Sequence, residues 1–91
     1  MITITVVGGT GTASANFGHL ECEAVSLISP DNTPMYDFDI YNQDGAFVVG
    51  GSGITAQKAK IVEPFQLDGI CSLQITNAVD DGVYSVSIFQ R

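Results

Sequence analysis

The C-terminal stretch sets the terms for the rest of the chain. Leu73-Gln74-Ile75-Thr76 alternates apolar with polar residues, and Tyr84-Ser85-Val86-Ser87-Ile88-Phe89 does so again after the corner Asn77-Ala78-Val79-Asp80-Asp81-Gly82-Val83. Side chains repeat every second residue in a strand and every 3.6 residues in a helix, so this spacing predicts two half-buried β-strands around a tight corner. Two strands alone are marginal in water. The preceding residues must therefore supply more strands and a shared core.

They have the composition for it. Of 91 residues, 45% are hydrophobic, with ten Gly, three Pro and no Trp, and Thr, Ser, Val and Ile are abundant, a mixture that favours short strands and turns. Ile2, Ile4 and Val6 alternate with Thr3, Thr5 and Val7, so residues 1–17 read as an N-terminal strand followed by a Gly/Thr/Ala-rich loop. Leu20 to Ile28 alternates up to the turn cluster Ser29–Pro34. Val25 and Leu27 fall on the face used earlier by Glu21 and Glu23, which predicts a bulge or a covered outer surface.

Tyr36, Phe38 and Ile40 alternate with Asp37, Asp39 and Tyr41, and Asn42-Gln43-Asp44-Gly45 turns the chain into Ala46–Val49, a hairpin with Gly45 at a positive φ. Gly50–Gly53 reads as a flexible connector. In Ile54–Pro64 a helix would align Ile54, Lys58 and Ile61, but we read a strand ending near Val62. An Asp68-Gly69 turn then leads to the strand at Cys71. The expectation is a single all-β, antiparallel domain over residues 1–91, with about seven strands.

Charge narrows the partners. Lys58, Lys60 and Arg91 face ten carboxylates, for a formal charge of −7. Nucleic acids and anionic membranes need a basic patch, so neither is expected, and a basic protein surface is the better partner. No apolar run reaches membrane-spanning length, and the N-terminus lacks the cationic start and cleavage site of a signal peptide, which predicts synthesis in the cytoplasm. There Cys22 and Cys71 are expected to be small buried hydrophobes.

Chemistry-bearing patterns are few. Val6-Val7-Gly8-Gly9-Thr10-Gly11 looks like a dinucleotide-binding turn but lacks the helix that must hold the pyrophosphate, so no cofactor is expected. Asp37 and Asp39 share one strand face at a spacing open to a glycosidase pair or a calcium ion, against the plainer reading of a solvated face. His19 and Cys22, three residues apart, point to opposite faces of a strand, which speaks against a metal site with Cys71. No nucleophile stands beside a base, and an enzyme is not expected. Phe89 projects opposite Tyr84, Val86 and Ile88, which puts it and Val83 on the outer face of the last strand. Either another segment covers them or they touch another chain.

Asp80-x-Gly82-x-Tyr84 resembles the corner between strands E and F of immunoglobulin-like domains, where the tyrosine hydroxyl bonds back to the corner backbone. Leu20-x-Cys22-x-Ala24 resembles strand B of that family. The family's second cysteine would fall at Val86, so its disulfide is not implied, and Phe38 stands in for its core tryptophan. The resemblance implies an immunoglobulin-like β-sandwich variant with no obvious C-terminal strand G. Either the N-terminal strand fills that slot or a partner completes the edge.

By type, a small acidic β-module of this kind resembles the decoration or cement proteins of tailed-phage capsids. That likeness implies a non-enzymatic virion protein that binds the major capsid protein at capsomer junctions as a homo-oligomer, a trimer being favoured. The contact residues expected are Ile2, Ile4, Asn42, Asp44, Val83 and Phe89, with Asp80, Gly82 and Tyr84 structural. The alternative is a carbohydrate-binding or adhesion module, with Tyr41 as the aromatic for sugar stacking.

Overall fold

The computed structural model describes all residues from Met1 to Arg91 and is built of six strands: β1 (Ile2–Val6), β2 (Gly11–Ile28), β3 (Tyr36–Tyr41), β4 (Phe47–Ile54), β5 (Lys58–Thr76) and β6 (Gly82–Gln90). All pairings are antiparallel, in one sheet ordered β1-β6-β2-β5-β3-β4. The all-β class is as the alternation predicts.

The two long strands determine the shape. β2 and β5 pair along nearly their whole length, from Gly11 opposite Ile75 to Ile28 opposite Lys58. Held straight, an 18-residue strand would span about 60 Å. The longest dimension of the molecule is 33 Å. The long pair is therefore doubled back, and its ladder is interrupted twice, between Asn16 and His19 and between Cys22 and Ala24. Gly18 and Gly69 lie within the first interruption, with φ of 61° and 70°. At Gly69 a Cβ would lie 2.2 Å from Gln43 Oε1, so a larger residue would push the Gln43 side chain aside and would be strained at this positive φ.

The doubling creates two facing half-sheets. The first contains β1, β6, the end of β2 and the start of β5; the second contains the start of β2, the end of β5, β3 and β4. One cluster of 15 buried residues fills the space between them, with Ile4 and Val86 from the first half and Phe38, Val49 and Leu73 from the second. The halves approach to backbone contact at one corner, where a Cβ on Gly11 would lie 2.4 Å from the Thr5 carbonyl oxygen.

Several expectations change. Residues 11–17, read as loop, are the first part of β2, and residues 50–53, read as a connector, belong to β4. The two strands expected on either side of Asp68-Gly69 are one strand with a bulge, so there are six strands rather than about seven. Of the bulge or covered outer surface expected from the face change between Glu23 and Val25, the bulge is present, between Cys22 and Ala24, and Pro64 sits opposite it, where no ladder N–H is required. Phe38 is fully buried, as expected of a tryptophan substitute, and Cys22 and Cys71 are free and buried. Burial pushes both thiols above their ordinary range.

The slot beside the last strand is also filled. β6 pairs with β1 through Gly82 to Val86 and with β2 through Ser85 to Gln90. The N-terminal strand, rather than an unpaired edge, flanks residues 82–86.

Candidate functional site

The tyrosine corner fixes β6 before it enters the sheet. Tyr84 Oη donates to the Asp80 carbonyl at 2.7 Å, the bond implied by the Asp-x-Gly-x-Tyr pattern. The Asp80 carboxyl takes none of the corner N–H groups. It faces Asp31, and the backbone N–H of Gly9 goes to Asp81 Oδ1 at 3.2 Å instead.

With the corner set, strand alternation places Tyr84 and Val86 in the core and Val83, Ser85, Ser87 and Phe89 outside. Residues opposite one another in an antiparallel pair share a face. The pairing therefore assembles the outer face of the first half-sheet in rows: Thr3, Ser85, Ile28 and Lys58; Ser87, Ser26 and Lys60; Phe89, Ala24 and Val62; and Thr5 with Val83. Four apolar side chains on it are open to solvent, Val62 at 72%, Val83 at 52%, Ile28 at 43% and Phe89 at 41%. Small Ser and Thr side chains between them leave a low surface. The Lys60 ammonium lies 5.0 Å from the Phe89 ring centroid, a cation–π contact that holds the ring against the sheet.

Both lysines of the chain lie on this face, and neither is paired: the one ion pair in the molecule is His19 Nδ1 to Asp68 Oδ1 at 3.0 Å. Local charge here is thus opposite to the net charge. Glu23 and Glu63 lie only at the bulge that ends the face.

The other expected contact residues separate from Val83 and Phe89. Ile4 is fully buried and Ile2 packs against the core, because the doubled sheet covers the inner side of β1; Ile4 cannot meet another chain. Asn42 is engaged within the molecule, its Oδ1 accepting the Asp68 N–H at 3.0 Å and the Cys71 thiol at 3.4 Å. Gln43 Oε1 accepts the Ile70 N–H at 2.9 Å. The β3–β4 turn is thereby bolted to the β5 bulge, with Gly45 at φ 87° as expected. Asp44 is exposed and accepts the Ala46 N–H at 3.0 Å, closing its own turn.

The outer face of the second half-sheet differs in kind. Its rows are Tyr41, Ser72 and Ser14; Asp39, Gln74 and Thr12; and Asp37 with Thr76, with no cation among them. Asp37 receives the Gly53 N–H and the Asn77 amide, each at 2.8 Å. These bonds, the amide first, hold its carboxyl below the ordinary range. Burial and then the charge of Asp37 push Asp39 the other way. No group of three metal-ligating side chains converges here or elsewhere. Tyr41 packs edge-on against Phe47, with centroids 6.0 Å apart, beside an open depression of about 450 Å³ lined by Ser14, Asn42, Ser72 and Gln74.

Sequence reasoning missed Val62, Ile28 and the two lysines as members of the outer face that carries Phe89. The signal was the alternation Lys58, Lys60, Val62, which becomes informative only once its register against β2 and β6 is known. Compared with known proteins, the chain matches no family model and no curated protein.

Proposed function

We propose that this chain is a non-enzymatic structural protein that docks onto a larger protein assembly, in the manner of the small proteins that decorate or cement tailed-phage capsids. The observation that carries the reading is the outer face of the first half-sheet, where Phe89, Val83, Val62 and Ile28 are all exposed on the same side of the sheet. Exposed apolar side chains gathered on one face are the usual substance of a protein contact, with an aromatic near its centre contributing most. The partner is the major capsid protein, and the chain acts by adding buried area across subunit junctions, which stabilises the bound shell by mass action. The net charge of −7 favours a basic partner, but the lysines on this face call for an acidic or neutral patch at the contact itself.

Co-sedimentation with capsids lacking the protein tests this. Wild type should bind and raise their heat resistance, and Phe89→Asp should bind at least about 30-fold more weakly, the scale of a lost aromatic anchor. Failure of wild type to bind or protect such particles would remove the reading.

A second reading rests on the Tyr41–Phe47 pair beside the polar depression of the opposite face: an aromatic platform next to hydroxyls and amides suits a carbohydrate. Glycan-array binding that disappears in Tyr41→Ala would promote it; an array with no binding would dismiss it.

A further inference from the structure

We infer that the docking surface runs past Val83 onto the loop end of the molecule, where Val7, Met35 and Val79, beside Asp31, Asp80 and Asp81, take a basic and apolar patch of the same partner protein. The inference rests on the docking reading given above and names the chemistry of a second part of that contact.

The loop end is built from three segments far apart in sequence: the turn at residues 7–10, the loop at residues 29–35 and the corner at residues 77–82. Main-chain bonds stitch them together. The Ala78 N–H donates to the Gly9 carbonyl and the Val79 N–H to the Met35 carbonyl, both at 3.0 Å, and the Gly9 N–H goes to Asp81. Gly82 lies so close to Pro30 that a Cβ there would stand 3.0 Å from the Pro30 ring. Each segment nonetheless holds one apolar side chain in water, Val7, Met35 or Val79, each more than half exposed. A braced main chain with open apolar side chains loses little conformational freedom on binding, which favours contact.

Continuity with the outer face is the second ground. Val7 follows Thr3 and Thr5 at the strand period, and Thr5 shares a row with Val83. The face therefore leads from Val83 and Thr5 to Val7.

Charge decides what this end accepts. The Asp31 and Asp80 carboxyls meet there, and the exposed Asp81 uses one oxygen for Gly9 and accepts nothing on the other. None of the three has a cation within 4.0 Å. A second copy does not fit. A symmetric contact would set these carboxylates against themselves, and the only lysines and arginine of the chain are Lys58 and Lys60 on the outer face and Arg91 beyond the far end of β6. A basic side chain of another protein does fit, and the net charge of −7 steers it in. The docking surface is thus divided, with lysines on β5 and carboxylates at the corner, and that division sets its register on the partner.

Two measurements test this. In a titration of free ¹⁵N-labelled protein, a short synthetic peptide alternating arginine with leucine should shift the amide signals of Gly8, Met35, Val79 and Asp81. One alternating glutamate with leucine should leave them in place. In co-sedimentation with capsids lacking the protein, Met35→Ser/Val79→Ser should weaken binding at least about tenfold with an unchanged melting temperature. Asp81→Asn, which keeps an acceptor for Gly9, should slow association at low salt but not at high salt. Capsid binding that either variant leaves as in wild type, or an arginine–leucine peptide that moves no signal at the loop end, overturns the inference. Signals there that shift with protein concentration alone would put a second copy in the site and overturn it as well. If wild type ignores capsids, the docking reading falls and the peptide titration still decides the loop end. If Phe89→Asp weakens capsid binding and Met35→Ser/Val79→Ser does not, this inference falls and the docking reading stands.

Discussion

The ring of Tyr36 meets that of Tyr84 edge-on, with centroids 5.0 Å apart and planes inclined at 73°. The two come from opposite half-sheets, so this contact fastens the doubled sheet. Their hydroxyls fare differently. Tyr84 Oη donates to the Asp80 carbonyl, whereas Tyr36 Oη is buried without a partner, and burial pushes its pKa up to about 12. A buried polar group without a hydrogen bond costs about 1–3 kcal/mol, and a typical bond made contributes about 1 kcal/mol.

The two Tyr→Phe variants should therefore move stability in opposite directions. Tyr36→Phe keeps the ring contact and removes the orphaned hydroxyl, so it should stabilise by about 1 kcal/mol. Tyr84→Phe should destabilise by about the same amount through loss of the corner bond. Urea denaturation of both against wild type checks this, and a shift of the same sign in both would contradict it.

Asn42 should prove a structural residue. Asn42→Ala leaves the Asp68 N–H without its acceptor and takes from the Cys71 thiol the nearest of the three oxygens it can reach. The expected loss is about 1–2 kcal/mol, together with faster amide hydrogen exchange at Asp68 and Ile70. Unchanged exchange at both positions would show that the turn is held by other contacts.

The acid pair at the corner gives a pH signature. The hydrogen bond with Asp80 is the main cause holding Asp31 below the ordinary carboxylate value of 3.8, and the same bond is the main cause raising Asp80 above it. Stability from protonated Asp80 is fully present below 3.8 and is lost as pH rises through its raised folded value. Asp31 contributes in the opposite sense, its stability being present above 3.8 and lost as pH falls through its lowered value. The pair is thus most favourable where Asp80 holds the proton and Asp31 is charged. Asp80→Asn keeps a donor to Asp31 at every pH, so its advantage over wild type should widen as pH rises through the Asp80 titration and then hold. Melting temperatures across the acid-to-neutral range measure it, and a constant difference would refute the pairing.

Much of this was legible because period-2 alternation is a local signal. It located β1, β3 and β6, put Phe89 and Val83 outside, and exposed the bulge through the conflict between Glu21 and Glu23 and the later Val25 and Leu27. It failed where the side chains are too small to carry it. Ala13, Ala15 and Phe17 do alternate with Thr12, Ser14 and Asn16, but alanine and serine have weak strand preference, so the segment passed for a loop. Gly50 to Gly53 have almost no side chains to alternate. Asp68-Gly69 has the chemistry of a turn, and a bulge uses the same positive φ, so one strand looked like two. Ile4 looked available because the doubling of β2 and β5 over β1 depends on contacts far apart in sequence. The lysine rows were hidden for the same reason: that Lys58 shares a row with Ile28 and Ser85 is a matter of register, and register is set by the whole sheet.

Amine labelling with mass-spectrometric readout shows whether the outer face carrying Phe89 and the lysines is the surface that docks. The chain offers three amines, Lys58, Lys60 and the α-amine of Met1. Capsid-bound protein should show strong protection of both lysines relative to the free protein, with Met1 still labelled. Full labelling of Lys58 and Lys60 on bound protein would contradict it.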